Sequence, residues 1–176
     1  APFLRGLNQE FDETVHLVLL DRDEVLYIDC IESHRRLRTY SVIGVRAPLH
    51  CTSVGKAILA FLSDSEIRGI ISRKGLLSFT SHTITTEERL WNEITIIREH
   101  GYAIDDMEHE DHLRCVGAPI FNVEGKVFAS VSISGPAERN TLKRLESMAP
   151  ALLEATTEIS HRLGYRNRIK AAQAAK

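Results

Sequence analysis

Residues 101–122 read GYAIDDMEHEDHLRCVGAPIFN. Gly101 directly follows His100 and suits the left-handed residue that stops a helix. Gly101 to Met107 then returns as a strand, Glu108 to Arg114 is a charged, His-rich connection, and Cys115 to Phe121 is a second strand. Asn122-Val123-Glu124-Gly125 is a turn signal, and Lys126 to Ser134 is a strand after it. Upstream, a helix is predicted from a Thr85 or Thr86 cap, with Leu90, Trp91, Ile94 and Ile97 on its inner side. A helix that stops on glycine and feeds consecutive hairpins implies an antiparallel sheet with helices packed on it.

The flanking sequence extends that pattern. Phe3, Leu4, Leu7 and Phe11 mark a helix over 3–14. Thr14 to Leu20 alternates as a strand, with Val15, Leu17 and Leu19 on one side. Residues 21–24 form a polar turn, and Val25 to Ile31 completes a hairpin. Leu37 to Val45 is predicted as a third strand, ended by Arg46-Ala47-Pro48. Thr52 or Ser53 caps a helix whose apolar face is Ala57, Ile58, Phe61 and Leu62. A short helix follows from Asp64 or Ser65, and residues 72–85 read as loop. From Glu138 to Leu163, Leu142, Leu145, Met148, Leu152, Thr156, Ile159 and Leu163 recur every three or four residues, an amphipathic helix. Pro150 lies inside it, and a break is expected near Ala149, because a mid-helix proline costs about 3 kcal/mol. The fold class is α+β.

The 176 residues suit one domain, 43% of them hydrophobic and only 6% aromatic, so the core is aliphatic. A net charge of −2 gives no electrostatic sign of a nucleic-acid surface. Cys30, Cys51 and Cys115, an odd and widely spaced set, are read as reduced thiols in a cytoplasmic protein. No apolar run is long enough for a membrane span, and the start has no signal-peptide pattern. The lack of an initiating Met fits a fragment.

Three stretches carry a family resemblance. One runs from Pro48-Leu49-His50 into Thr52-Ser53-Val54-Gly55-Lys56-Ala57-Ile58-Leu59-Ala60. The second is the spacing Gly101, Asp105, Glu108, Cys115-Val116-Gly117, Ile120-Phe121-Asn122. The third is Ser130-Val131-Ser132-Ile133-Ser134-Gly135-Pro136. In this order the sequence resembles the effector-binding, C-terminal domain of IclR-type bacterial transcription regulators over nearly everything from Leu7 to Tyr165. The resemblance implies a GAF- or profilin-like fold, a curved antiparallel sheet flanked by helices, with a pocket on the concave side. It implies residues 1–14 as the end of an interdomain linker helix, 15–165 as the effector-binding domain and 166–176 as a frayed basic tail. It further implies a small organic-acid effector held by the backbone amides of Ser53 and Val54 and the side chains of Asp105, Cys115, Ser132 and Ser134. Arg36, Arg38 and Tyr40 would close the pocket. A homodimer or homotetramer is implied, with DNA bound only through a missing N-terminal winged helix-turn-helix, and no membrane partner. No cofactor, metal or catalytic residue is assigned.

The residue chemistry is compatible with that site. Helix-start amides make an anion site, Gly55 keeps the turn open for close approach, and Ser132 and Ser134, two apart on a strand, share a face. Asp105 is the odd member, since an ionised carboxylate would repel an acid. A ligand hydroxyl donating to it would resolve this and favours a hydroxy or keto acid derived from a sugar. Three other readings stand beside this one. His109, His112 and Cys115, with His50 and Cys51 elsewhere, could hold zinc, but they lack a paired zinc motif. Cys115 with His109 or His112 could be a nucleophile and base, but without an elbow or oxyanion signal. Gly55-Lys56 lacks the upstream glycine of a phosphate loop. The domain could also be an oligomerisation scaffold without ligand. The family's usual glycine near 112 or 113 is replaced by His112-Leu113, which bears on the loop beside the pocket.

Overall fold

A computed structural model describes residues 2–38 and 43–166. Helix α1 (Pro2–Phe11) leads into strands β1 (Thr14–Asp21), β2 (Glu24–Ile31) and β3 (Arg46–Pro48). Helices α2 (Ser53–Leu59), α3 (Asp64–Lys74) and α4 (Glu87–His100) follow, then β4 (Ala103–Asp106), β5 (Leu113–Phe121), β6 (Val127–Pro136) and α5 (Leu142–Arg162). The six strands form one curled antiparallel half-barrel in the order β3-β2-β1-β6-β5-β4.

Period-two alternation sorts the sheet into two faces. On β5, Val116, Ala118 and Ile120 point to one side, where they join Val15, Val131 and Ile133 and meet Leu145, Met148 and Leu152 of α5 and Leu4 and Leu7 of α1. On the other side α2, α3 and α4 build a second aliphatic core from Val54, Ile58, Ile67, Leu90, Ile94 and Ile97 around Val18, Val25 and Val127. No helix among the described residues is long and apolar enough to cross a membrane.

The chain's punctuation follows local chemistry. Thr86 caps α4 through its side chain, and Gly101 ends it in the left-handed region at φ 83°. Ser63 and Glu66 form a reciprocal capping box at the start of α3. Asn122 Oδ1 accepts from the Glu124 and Lys126 amides and shapes the β5–β6 turn.

Three expectations are corrected. Of the predicted strand over 37–45, the described residues are not in a strand, and the third strand is Arg46–Pro48. Gly44, at φ 91°, turns the chain there; its amide and the Val45 carbonyl bond the Tyr27 backbone just before regular pairing begins. Helix α3 runs to Lys74, so only the later part of 72–85 is loop. Finally, α5 does not break near Ala149, and Pro150 lies inside a continuous 21-residue helix. Pro150 is on the exposed side of the helix, while Leu145, Met148, Ala149 and Leu152 anchor both halves on the sheet. Beyond Arg166 the basic tail lies outside the described residues.

Candidate functional site

Strand register gathers the polar residues of three separate sequence stretches. Asp105 stands opposite Cys115, Cys115 opposite Ser134, and Ser134 opposite Thr14. Two residues along, Ala103, Gly117, Ser132 and His16 form a parallel row. Both rows share the face that α2 covers. Contact is closest at Gly117, where an added Cβ would lie 2.6 Å from the Ser53 carbonyl oxygen and 2.9 Å from the Val54 nitrogen. The first turn of α2 therefore rests on bare backbone between Cys115 and Ser132.

Thr52 fixes that turn. Its hydroxyl accepts from the Gly55 amide at 3.0 Å and donates to the Pro48 carbonyl at 2.9 Å. Ser53 and Val54 occupy the first two helical positions, whose amides have no carbonyl one turn earlier. Gly55 is required by the chain's own path, since an added Cβ would meet Leu49 Cα and Thr52 Oγ1, each at 2.6 Å.

Beneath the turn lies a buried hydrogen-bonding group that the sequence reading missed. Ser132 Oγ and Ser134 Oγ lie 3.4 and 3.3 Å from His16 Nδ1, and 3.4 Å from each other. Burial pushes the His16 pKa down to about 4, so the imidazole is neutral at physiological pH. The Tyr27 ring meets it edge-on at 5.3 Å. The signal for His16 was its phase on β1, opposite to Val15, Leu17 and Leu19. Cys115 bonds Ser134 and Ser53, but burial first and Asp105 second keep its thiol well above the ordinary range. A protonated thiol is a poor nucleophile, which argues against the Cys-dependent alternative.

Asp105 is 3% exposed. Its Oδ1 accepts from the Glu108 amide at 2.7 Å. Burial, then the Glu108 carboxylate, raise its pKa to about 8. Below it lies a charged layer also missed from sequence. The Lys56 ammonium, 1% exposed, donates to Glu93 at 2.7 Å and Glu108 at 2.6 Å. Burial opposes the charge on Lys56, but Glu108 and Glu93 outweigh it and hold the group protonated. Glu108 Oε2 is buried without a hydrogen-bond partner among the described residues.

The expected site residues separate into two sets. Ser53, Val54, Asp105, Cys115, Ser132 and Ser134 converge. Arg36 is exposed on the β2–β3 connection, Arg38 pairs with Glu32 at 2.9 Å, and Tyr40 lies outside the described residues. Arg38 and Leu37 line an open cleft of about 350 Å³ with Leu113 and Pro136. His112 takes φ 63°, the left-handed conformation that favours glycine, and its carbonyl accepts from the Ala137 amide at 2.7 Å. Among the described residues no group of three or more His, Cys, Asp or Glu side chains is placed to hold a metal. His112 stands in solvent beside Glu138, while His109 packs on Phe79.

Comparison with known proteins agrees with this architecture. The family described as "Bacterial transcriptional regulator IclR C-terminal" matches residues 1–161. The HTH-type transcriptional regulator KipR of Bacillus subtilis is 37% identical over 93% of this chain, which spans 66% of that protein's length. The crystal structure of Thermotoga maritima IclR superposes with a TM-score of 0.89 at 38% identity, covering 93% of this chain and 66% of that one. The PobR inducer-binding domain from Acinetobacter, a double mutant in complex with 3-hydroxybenzoic acid, superposes with a TM-score of 0.82 at 26% identity, covering 90% of this chain and 94% of that one. These relatives are transcription regulators, not enzymes. The chain belongs to the family of C-terminal domains of bacterial IclR-type transcriptional regulators.

Proposed function

We propose that this domain senses a small organic acid, of the hydroxy or keto type, in the half-barrel beneath α2. The observation that carries the reading is the convergence of Asp105, Cys115, Ser132 and Ser134, drawn from three strands, against the first turn of α2. First-turn amides and the positive end of the helix dipole favour a carboxylate. The short thiol and hydroxyl groups suit the polar remainder of a compact ligand. The complex of PobR with 3-hydroxybenzoic acid lends support, since that domain shares this fold and its ligand is an acid. Arg36, Arg38 and Tyr40 close the pocket in this reading.

The sensor acts by linkage. Ligand binding changes the relative stability of two subunit arrangements in a homodimer or homotetramer, and thereby the spacing of DNA readers on an N-terminal domain. Residues 1–14 are the end of the segment connecting that domain to residues 15–165. The test is a thermal-shift screen of sugar acids, keto acids and aromatic acids, with calorimetry on the hits. A true ligand at 100 times its dissociation constant stabilises the fold by about 2.7 kcal/mol. A screen without heat from any acid, from protein that still forms stable oligomers, would favour a scaffold instead.

A further inference from the structure

We propose that Asp105 meets the ligand as a neutral carboxylic acid, donating its proton to an acceptor oxygen at the end of the acid remote from the α2 amides. The inference rests on the sensor reading and narrows it. The site takes an oxyacid whose far end presents a carbonyl or second carboxylate oxygen, together with one proton held by the protein.

The geometry leaves little alternative to a proton at this position. Lys56 is the buried cation of the layer, and both Glu93 and Glu108 are already in contact with it. Asp105 is the third carboxyl there, bonded to the Glu108 and His109 amides, with no cation paired to it among the described residues. Around it stand Glu108 and Glu110 of the β4–β5 connection, Lys56 of α2, Cys51 ahead of that helix, Cys115 of β5, Tyr27 of β2, and Glu93 of α4 behind Lys56. Ser134 lies across the register from Cys115, and His16 Nδ1 is 3.3 Å from the Ser134 hydroxyl. Burial raises Cys51 to about 12 and holds Cys115 well above the ordinary thiol range, so neither thiol adds charge. An anionic ligand at the first turn of α2 brings yet another negative charge beside this carboxyl. Like charges in a buried site cannot all ionise, and the carboxyl without a cation partner is the one that keeps its proton. Its displaced pKa, about 8, agrees. A neutral carboxyl also removes the repulsion that an ionised Asp105 would exert on an acid. The resulting pair is an O–H donor facing an oxygen acceptor, the arrangement that a carboxylic acid kept neutral by burial can provide.

Two measurements on the intact chain test this. In ligand-free protein with aspartate labelled at its carboxyl carbon, the Asp105 resonance, assigned by its loss in Asp105→Asn, is expected to titrate near pH 8. A midpoint near 4 overturns the proposal. Calorimetry with pyruvate, 2-oxoglutarate and 3-hydroxybenzoate is run from pH 6 to 9. For a probe that binds, affinity is expected to fall roughly tenfold between pH 6 and 9, most of it above pH 8, as the proton is lost. Asp105→Ala is expected to weaken binding at all pH values, and Asp105→Asn, which restores a donor, to recover part of it and show a flat profile. Tight binding by the wild type with no pH dependence, lost in Asp105→Asn, overturns the proposal and leaves the sensor reading intact. No binding by any probe at pH 6 brings down both for these acids.

Discussion

At the residue scale, the site depends on two positions of opposite character, a neutral imidazole and a missing side chain. His16 is buried with its pKa lowered from 6.5 to about 4. The unfolded chain therefore binds more protons than the folded one across that window, so stability is lost as pH falls from 6.5 towards 4. Relative to His16→Gln, the wild type is expected to lose roughly 3 kcal/mol at most over that range. Urea denaturation of both proteins at pH 7 and pH 4.5 reads the difference, and parallel curves would show that His16 is not held neutral. At Gly117 the constraint is steric. An added Cβ would strike backbone atoms of Ser53 and Val54 rather than a movable side-chain tip, so Gly117→Ala must push the first turn of α2 off the sheet. A cost of about 1–3 kcal/mol is expected, as for other overpacked sites. Calorimetry on a confirmed ligand is expected to show a larger loss of affinity than an alanine at the exposed Gly6 produces.

At the element scale, α5 shows how a local rule yields to tertiary packing. Replacing Pro150 by Ala restores an amide donor in the middle of the helix and is expected to raise stability by about 1 kcal/mol, less than the full helix penalty because proline also restricts the unfolded chain. Thermal unfolding monitored by circular dichroism measures it, and a lower midpoint would mean that Pro150 is held by contacts beyond the helix. The same contrast explains which elements were legible. Caps and stops such as Thr86, Gly101 and the Asn122 turn are written in adjacent residues, and hydrophobic phase placed β1, β2, β5 and β6. The break at Pro150 was over-read because the burial of Leu145, Met148 and Leu152 on both sides of it is a property of the sheet. The third strand was displaced because Gly44 bends the chain where alternation alone suggested extension. The six converging site residues were legible only through their resemblance to a family pattern, since nothing local joins Ser53 to Asp105 or Ser134. His16, Tyr27 and Lys56 went unread for the same reason: a His in a strand and a Lys in a helix reveal their burial only when the sheet curls over them.

At the scale of the whole molecule, a second buried polar junction lies at the opposite end of the site rows and ties α1 to the sheet and to α5. Glu13, fully buried, accepts from Arg139 Nε at 2.5 Å and Nη2 at 2.7 Å, with Arg144 Nη2 at 3.4 Å. Gly135 makes room for the carboxylate, where any Cβ would collide with it. Arg139 also donates to the Leu37 carbonyl at 3.2 Å, and Arg144 to the Phe11 carbonyl at 3.2 Å. Asn8 of α1 closes the junction by donating to the Glu13 carbonyl at 2.8 Å. Glu13 immediately precedes Thr14, which pairs with Ser134, so the site and the attachment of α1 share one strand and one register. If ligand bound at Ser134 stiffens β1 and β6, the junction carries that stiffening to α1. Arg139→Ala leaves the buried carboxylate short of its main partner and is expected to cost roughly 3 kcal/mol. The diagnostic result lies in hydrogen exchange. In the wild type, a confirmed ligand is expected to slow exchange in β6 and also in α1. In Arg139→Ala the slowing in β6 should persist while that in α1 disappears. Equal protection of α1 in both proteins would mean that the coupling runs through the apolar contacts of Leu4 and Leu7 with α5, and that the Glu13 junction serves stability alone.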